Sequence, residues 1–167
     1  MNLKATIGME THVELDTKSK MFCSCEVVET DEPNISVCPT CLGLPGALPV
    51  PNKTAIEYIV MLSLGANCKI TNEGMFHRKN YFYPDLPKNY QISQFDFPVG
   101  VNGSLEIVLD EELHSVEIER VHMEEDTGKS VHIGSGRIDS ATSTLLDFNR
   151  SGIPLVEVVT KPVISTS

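Results

Sequence analysis

The feature that most constrains the fold is a set of four cysteines in a stretch without regular periodicity. Cys23 and Cys25 form one close pair, and Cys38 and Cys41 form a second pair after 12 intervening residues. The surrounding segment, residues 16–51, is rich in Cys, Pro, Gly and Asn and follows neither a helical nor a strand period. A loop of this length needs a cross-link, such as a bound metal, to stay ordered in a compact domain. We therefore expect the four cysteines to lie together.

Two close pairs of thiolates suit tetrahedral zinc, because each pair supplies two ligands and the loop between them closes on the metal. Four sulfur ligands leave no position open for a substrate, so a zinc ion here would be structural. The alternative interpretation is two buried or redox-active thiol pairs without a metal. The fifth cysteine, Cys68, follows a predicted helix and is interpreted as a small core residue.

Alternation over residues 5–15 predicts the first strand, with Met9, Val13 and Leu15 on a face that packs. Glu10 and His12 are two residues apart, so both project from the other face, roughly 6–7 Å from each other. A hard cation can bridge that gap. Oxygen ligands with one imidazole favour Mg²⁺ or Mn²⁺ over zinc, and such ions often hold phosphate groups. The alternative is the solvated face of an edge strand.

A second acidic cluster, Glu124, Glu125 and Asp126, stands at the end of a later predicted strand and could join the same cation. The segment that follows it is not a phosphate-binding P-loop. Residues 126–130 end like such a loop, but the earlier glycine that the motif requires falls at Met123.

A cationic segment, residues 78–88, carries Arg78, Lys79 and Lys88 together with two tyrosines and is stiffened by prolines. It could hold an anionic ligand, because Lys and Arg neutralise phosphate charge and tyrosine can stack or donate a hydrogen bond. The alternative is a surface loop whose aromatic residues anchor it to the core.

The remaining pattern predicts one helix and at least five strands. Asn52 is a suitable cap for a helix over residues 53–66. Residues 76–100 predict an ordered loop rather than a regular element. Two hairpins are predicted, one formed by residues 105–109 and a strand through Val116 and Ile118, and one formed by residues 144–149 and 155–160. The fold class is therefore α+β with a mostly antiparallel sheet.

Composition narrows the possible functions. The chain has 167 residues with 41% hydrophobic content, enough for one domain or most of one. Its net charge of −10 argues against a basic surface that binds nucleic acid, so most contacts with any RNA partner should lie outside this segment. Neither a signal peptide nor a run of ~18 apolar residues that could span a membrane is present. This favours the cytoplasm or an organelle interior, where disulfides are uncommon.

Six blocks, in this order, resemble the amino-terminal domain of the B subunits of the aspartyl/glutamyl-tRNA amidotransferases. They cover nearly the whole chain, and archaeal E subunits share several of them. The blocks are residues 8–15, the Cys23 and Cys25 pair followed by residues 38–46, residues 78–88, residues 90–94, residues 118–126, and residues 146–150 with 154–157.

The resemblance implies a cradle-shaped catalytic domain similar in fold to glutamine synthetase, of which residues 1–167 are the amino-terminal part and residues 16–51 the zinc-binding loop. It implies a ligase that uses ATP and Mg²⁺ to phosphorylate the side-chain carboxylate of Glu or Asp mischarged on tRNA, after which ammonia displaces phosphate. A glutaminase A subunit would supply ammonia and a small C subunit would clamp the pair. Most tRNA contacts would lie beyond Ser167, where we expect the chain to be cut, and the isolated fragment is expected to be inactive.

The resemblance also assigns roles by position. Residues expected to form the catalytic metal centre are Glu10, His12 and Glu125, with Glu124 as a further candidate and Glu157 for a second metal. Residues expected to contact the nucleotide or its phosphates are Lys79, Lys88 and Arg150. The four cysteines match family members that keep the zinc site. A competing hypothesis is a zinc-stapled binding module whose acidic face only docks a partner protein.

Overall fold

The computed structural model describes residues 5–165, whose regular structure is one α-helix, nine strands and a short 3-10 helix. The helix is α1 (Lys53–Gly65). The strands are β1 (Glu10–Glu14), β2 (Lys69–Ile70), β3 (His77–Asn80), β4 (Tyr90–Ser93), β5 (Gly100–Leu109), β6 (Glu112–Glu125), β7 (Lys129–Ile133), β8 (Ser143–Asp147) and β9 (Pro154–Thr160). The predicted interruption of the chain at Ser167 lies outside the described residues.

The main sheet has five strands in the order β1-β9-β6-β5-β2, and every neighbouring pair is antiparallel. The α+β class with a mostly antiparallel sheet is thus confirmed. Strand β9, the last of the strands listed above, lies between the first strand and β6. This insertion brings residues that are far apart in the chain onto one face of the sheet.

Helix α1 covers the opposite face of this sheet. It begins as predicted, because the side-chain oxygen of Asn52 accepts hydrogen bonds from the backbone N–H groups of Thr54 and Ala55, at 3.0 and 3.3 Å. Its buried apolar residues, Ala55 and Ile59, belong to the same core cluster as Val121, Met123 and Val156 of the sheet. Cys68 is also buried in this cluster, as its interpretation as a core residue required.

The predicted loop over residues 76–100 is wrong in part, since β3 and β4 pair as an antiparallel hairpin. The prolines that suggested a loop are absent from both strands. Strand β4 contributes Gln91, Ile92 and Ser93 to the interior, whereas Arg78 and Lys79 on β3 remain exposed. The hairpin therefore exposes cations on β3 and packs against the rest of the chain through β4.

The second predicted hairpin is also wrong, because β8 and β9 do not pair with each other. Strand β8 pairs with β7, and β9 pairs with β1 and β6. The reason lies in burial, since β9 is mostly apolar and both of its faces are covered, which suits an inner position in the sheet. The first predicted hairpin is confirmed as β5 and β6, with Leu105 opposite Val116.

Strand β1 is at the edge of the sheet, and the prediction that its apolar face packs holds only for Leu15, just beyond the strand. Met9 is 53% exposed and Val13 42% exposed. Residues 16–51 contain no helix or strand, as predicted, but Met21 and Phe22 from this segment are buried in the core. Among residues 5–165, no helix is long and apolar enough to cross a membrane.

Candidate functional site

A polar row crosses the three strands β1, β9 and β6 on the face opposite α1. In the sheet register, His12 lies opposite Glu157, and Glu157 lies opposite His122. Directly opposed residues on adjacent strands project to the same face, so their side chains meet. The Oε2 atom of Glu157 lies 3.5 Å from Nε2 of His12 and 3.0 Å from Nε2 of His122.

Glu124 joins this row because it follows His122 by two residues and so shares its face. Its Oε2 atom lies 3.2 Å from Nε2 of His12, and its Oε1 atom lies 3.5 Å from Nε2 of His122. One ligand atom each from His12, Glu124 and Glu157 lies within 4.8 Å of the others. These three side chains could hold a divalent cation.

The charge state of Glu124 suits such a cation. Burial opposes ionisation, but the close contact with the His122 imidazole and the charge of Lys79 outweigh it and lower the pKa of Glu124 to about 2. The carboxylate is therefore ionised at neutral pH. His122 itself is fully buried, and neither of its ring nitrogens has a hydrogen-bond partner of good geometry among the described residues. The row, in which His122, Glu124 and Glu157 are buried and His12 is exposed, would gain from a bound cation that completes its contacts.

A cavity of about 320 Å³ opens beside the polar row. Its lining includes Glu10, Glu124 and Glu157 as well as the cations Lys79 and Arg120. The ammonium of Lys79 lies 3.9 Å from Oε1 of Glu124. Carboxylates that hold a cation, next to side chains that attract an anion, form an arrangement suited to metal-bridged phosphate.

The predicted site residues divide between this cavity and its surroundings. Glu10 lines the cavity but is outside the group of three close ligand atoms. Glu125 follows Glu124 directly, so the pleat turns it to the other face of the sheet. There its carboxylate forms an ion pair with the buried ammonium of Lys88 and accepts a 3.0 Å hydrogen bond from the Ile92 N–H. The metal-binding role of Glu125 stays a prediction.

Of the three predicted phosphate contacts, Lys79 alone lines this cavity. Lys88 is engaged with Glu125. The guanidinium of Arg150 lies 3.1 Å from Oδ2 of Asp126 and donates to the carbonyl of Gly128 at 2.9 Å. The nucleotide roles of Lys88 and Arg150 also stay predictions.

Sequence reasoning missed His122 and Arg120. Arg120, His122 and Glu124 alternate onto one face, but a register shift between Ile118 and Arg120 breaks the period of the predicted strand. Extending that period from the buried Ile118 would have placed all three side chains in the core. The guanidinium of Arg120 stacks over the Phe95 ring with its carbon 4.2 Å from the ring centroid. The same ring meets the His122 imidazole edge to face, with centroids 6.2 Å apart. Phe95 thereby fixes two side chains of the site.

The four predicted cysteines form a second candidate site, with their sulfur atoms within 4.8 Å of one another. The second knuckle turns through hydrogen bonds from the Leu42 N–H to the Cys38 carbonyl, at 3.0 Å, and from the Gly43 N–H to the Thr40 carbonyl, at 3.1 Å. Gly43 has a φ of 68°, and a Cβ here would lie 2.8 Å from the Cα of Lys88. Only glycine suits this position.

Contacts within the cluster favour the thiolate form, the form that binds a metal, at Cys41. A hydrogen bond with Cys23 is the largest cause that lowers the pKa of Cys41, to about 5, and the charge of Lys20 adds to it against the effect of burial. The same contact with Cys41, together with burial, raises the pKa of the Cys23 thiol. None of the four cysteines forms a disulfide. The cluster could bind a metal ion such as zinc.

Comparison with known proteins places these features in a family. Residues 5–167 match the family model described as the GatB/GatE catalytic domain. A Nocardia farcinica protein, named as the B subunit of an aspartyl/glutamyl-tRNA(Asn/Gln) amidotransferase, is 59% identical over 160 residues. These residues are 94% of this chain and 32% of that relative.

Two further relatives bear the same name. The protein of Frankia casuarinae is 59% identical over 158 residues, 93% of this chain and 31% of its own length. The protein of Mycobacterium tuberculosis is 56% identical over 161 residues, 95% of this chain and 32% of its own length. The chain thus spans about a third of the length of the curated relatives that it matches.

Proposed function

This chain belongs to the family of GatB/GatE catalytic domains, and from that membership and the site geometry we propose that it forms the phosphorylating centre of an ATP-dependent tRNA amidotransferase. The substrate is the side-chain carboxylate of Glu on tRNA(Gln) or of Asp on tRNA(Asn). The identity of 56–59% to relatives named as B subunits favours that type over the archaeal E subunits. The cradle shape implied by the resemblance is part of this proposal.

The chemistry requires an activated carboxylate, because a free carboxylate is a poor electrophile. In the first step the bond between the γ-phosphorus and its bridging oxygen breaks, ADP leaves, and a carboxylate oxygen of the substrate bonds to phosphorus. In the second step ammonia attacks the acyl carbon, the bond to phosphate breaks, and a proton passes from nitrogen to solvent. The products are the amide, ADP and phosphate.

The polar row is the observation that carries this proposal. His12, Glu124 and Glu157 would hold Mg²⁺, which when bound offsets negative charge on the phosphates. Lys79 would attract phosphate oxygens from the cavity wall, 3.9 Å from Glu124. Glu10 lines the same cavity and would complete the oxygen ligands.

The ion pairs beside the cavity have a conditional role. Glu125 would act as a metal ligand, and Lys88 as a phosphate contact, only if their mutual ion pair opens when substrates bind. The same holds for Arg150 and its contact with Asp126. In the resting arrangement these pairs order the strand ends around the cavity.

The four cysteines would hold a structural zinc ion, since all four coordination positions are filled by sulfur. The partners implied are a glutaminase A subunit that supplies ammonia, a small C subunit and a misacylated tRNA. The net charge of −10 supports a tRNA-binding surface that lies mostly in other parts of the assembly.

A second candidate function is a zinc-stapled module that only docks a partner protein. The end of the β5–β6 hairpin favours it, because Val108 is 73% exposed and Leu113 is 65% exposed. The two functions predict different losses when the polar row is altered.

The test uses the complete protein assembled with its glutaminase partner. His12→Ala and Glu124→Gln should each lower conversion of Glu-tRNA(Gln) to Gln-tRNA(Gln) by at least about 100-fold, as expected for groups that stabilise transition-state charge. Assembly should be unchanged by gel filtration. Glu57→Gln, on an exposed position of α1, is the matched control and should retain full turnover. Full turnover in both site variants would favour the docking module instead.

A further inference from the structure

A buried lysine links the cysteine cluster to the chain segment that leads into β9. Lys20 is fully buried, with 0% of its surface exposed. Its ammonium donates to the carbonyl of Ser36 at 2.7 Å and to the carbonyl of Phe148 at 3.1 Å, and lies 3.9 Å from the Sγ atom of Cys41. Burial of a charge is costly unless an opposite charge compensates it.

The compensating group for Lys20 is a cysteine. Within residues 5–165, no carboxylate lies at ion-pair distance from its ammonium, and the two carbonyls are neutral acceptors. The Cys41 sulfur is the anionic partner when this residue is a thiolate, the form that binds a metal. Conversely, four thiolates outweigh the two positive charges of a zinc ion, so a nearby ammonium offsets part of the excess.

We propose that Lys20 is a positioning residue of the four-cysteine centre, which balances the charge of the metal-bound thiolates and fastens the centre to residues 147–152. The inference rests on the zinc site of the proposed function. It goes beyond that site in two ways. It gives Lys20, which is not a metal ligand, a role in balancing charge, and it connects the metal site to the polar row through residues 147–152.

The link is supported by a set of contacts around Lys20. The Met21 N–H donates to the carbonyl of Gly152 at 2.7 Å. The side-chain oxygen of Asn149 accepts from the Ser36 N–H at 2.9 Å, and its side-chain nitrogen donates to the Glu32 carbonyl at 2.8 Å. Residues 147–152 therefore lie clamped against the cysteine loop. Strand β9, which carries Glu157, begins two residues later.

The decisive comparison is between two substitutions. Lys20→Met keeps a side chain of similar length but removes its charge, and Lys18→Met makes the same change at an exposed lysine of the same segment. In the complete protein, Lys20→Met should release zinc to a competing chelator at least about 10-fold faster than wild type, in line with the loss of a group that contacts a metal ligand. Lys18→Met should match wild type. Zinc release from Lys20→Met at the wild-type rate would overturn the inference.

A spectroscopic readout separates charge balance from simple packing. With Co²⁺ in the cysteine site, the thiolate-to-cobalt charge-transfer band should move to longer wavelength in Lys20→Met, because a thiolate that loses its cationic neighbour is more easily oxidised. Lys20→Arg keeps the charge and should keep the band near its wild-type position. A band that stays in place in Lys20→Met contradicts the charge-balancing role.

Hydrogen exchange decides the matter if Lys20→Met does not fold. In the wild-type protein, removal of zinc should speed exchange at the amides of Ser151, Gly152 and Ile153, which are hydrogen-bonded in the clamped segment. Unchanged exchange would overturn the inference while leaving the zinc site intact. A wild-type protein that binds no zinc in zinc-replete medium would overturn the zinc site and this inference together.

Discussion

Glu124 and Glu125 show how one step along a strand separates two chemical roles. Both are buried and lie at the end of β6. Glu124 meets His12 and His122 on the cavity face, whereas Glu125 meets Lys88 on the other face. Strand alternation alone accounts for this difference. Of these two carboxylates, Glu124 is therefore the one that belongs to the polar row.

The stability of the chain should depend on pH through Glu124. Its pKa is about 2 in the folded chain, below the ordinary value of 4.5, so its ionised form favours folding. That contribution is fully present above the ordinary pKa and is lost as the pH falls toward the folded pKa. From about pH 5 to about pH 3, the free energy of unfolding should fall more steeply in wild type than in Glu124→Gln, by up to about 1.4 kcal/mol per pH unit. Urea unfolding measures this difference. Parallel slopes would show that Glu124 is not held as an ion by its neighbours.

At the scale of elements, the position of β9 creates the site. Only its insertion between β1 and β6 aligns His12, Glu157 and His122 in one row. A slip of one residue in either register would send Glu157 to the apolar face, where Val156 and Val158 now pack. The geometry of the candidate metal site therefore depends directly on the register of β9 with its two neighbours.

The contact between the end of α1 and β5 can be tested through two glycines. A Cβ at Gly103 would lie 2.4 Å from the Cys68 sulfur and 2.5 Å from the Ala66 carbonyl oxygen, so Gly103→Ala should destabilise the chain by about 1–3 kcal/mol. Nothing lies within 4 Å of a Cβ at Gly65, the last residue of α1, and Gly65→Ala should stabilise it by about 0.4–1 kcal/mol. Urea unfolding of both variants provides the comparison. Equal stability of the two would contradict the described packing.

Short sequence patterns correctly predicted the structures that depend on residues close together in the chain. Asn52 and the helical spacing after it located α1, and the two cysteine pairs located the sulfur cluster. Such patterns do not predict which strands pair when the strands are far apart in the chain. The sequence pattern suggested that β8 and β9 form a hairpin, but the alignment of β9 depends on strands far earlier in the chain, as the pairing of His12 with Glu157 shows. His122 was missed because its role depends on that same pairing.

At the scale of the whole molecule, charge is unevenly distributed. The chain has a net charge of −10, and three of its cations, Arg78, Lys79 and Arg120, line the cavity beside the polar row together with the carboxylates Glu10, Asp96, Glu124 and Glu157. Cations beside carboxylates that could hold a divalent ion would favour a small anion bridged by that ion, without creating a general polyanion surface. This distribution is consistent with the proposed function, in which a nucleotide phosphate binds locally and tRNA binds mainly elsewhere in the assembly.

The central claim is that the polar row carries out phosphoryl transfer, and single-turnover formation of ADP tests it most directly. The complete enzyme is mixed with ATP and Glu-tRNA(Gln) while ammonia and glutamine are withheld, so that only the first step can occur. We predict that wild type forms ADP with phosphate bound to the substrate carboxylate, and that Glu157→Gln does so at least about 100-fold more slowly. Phosphoryl transfer by Glu157→Gln at the wild-type rate would contradict the account.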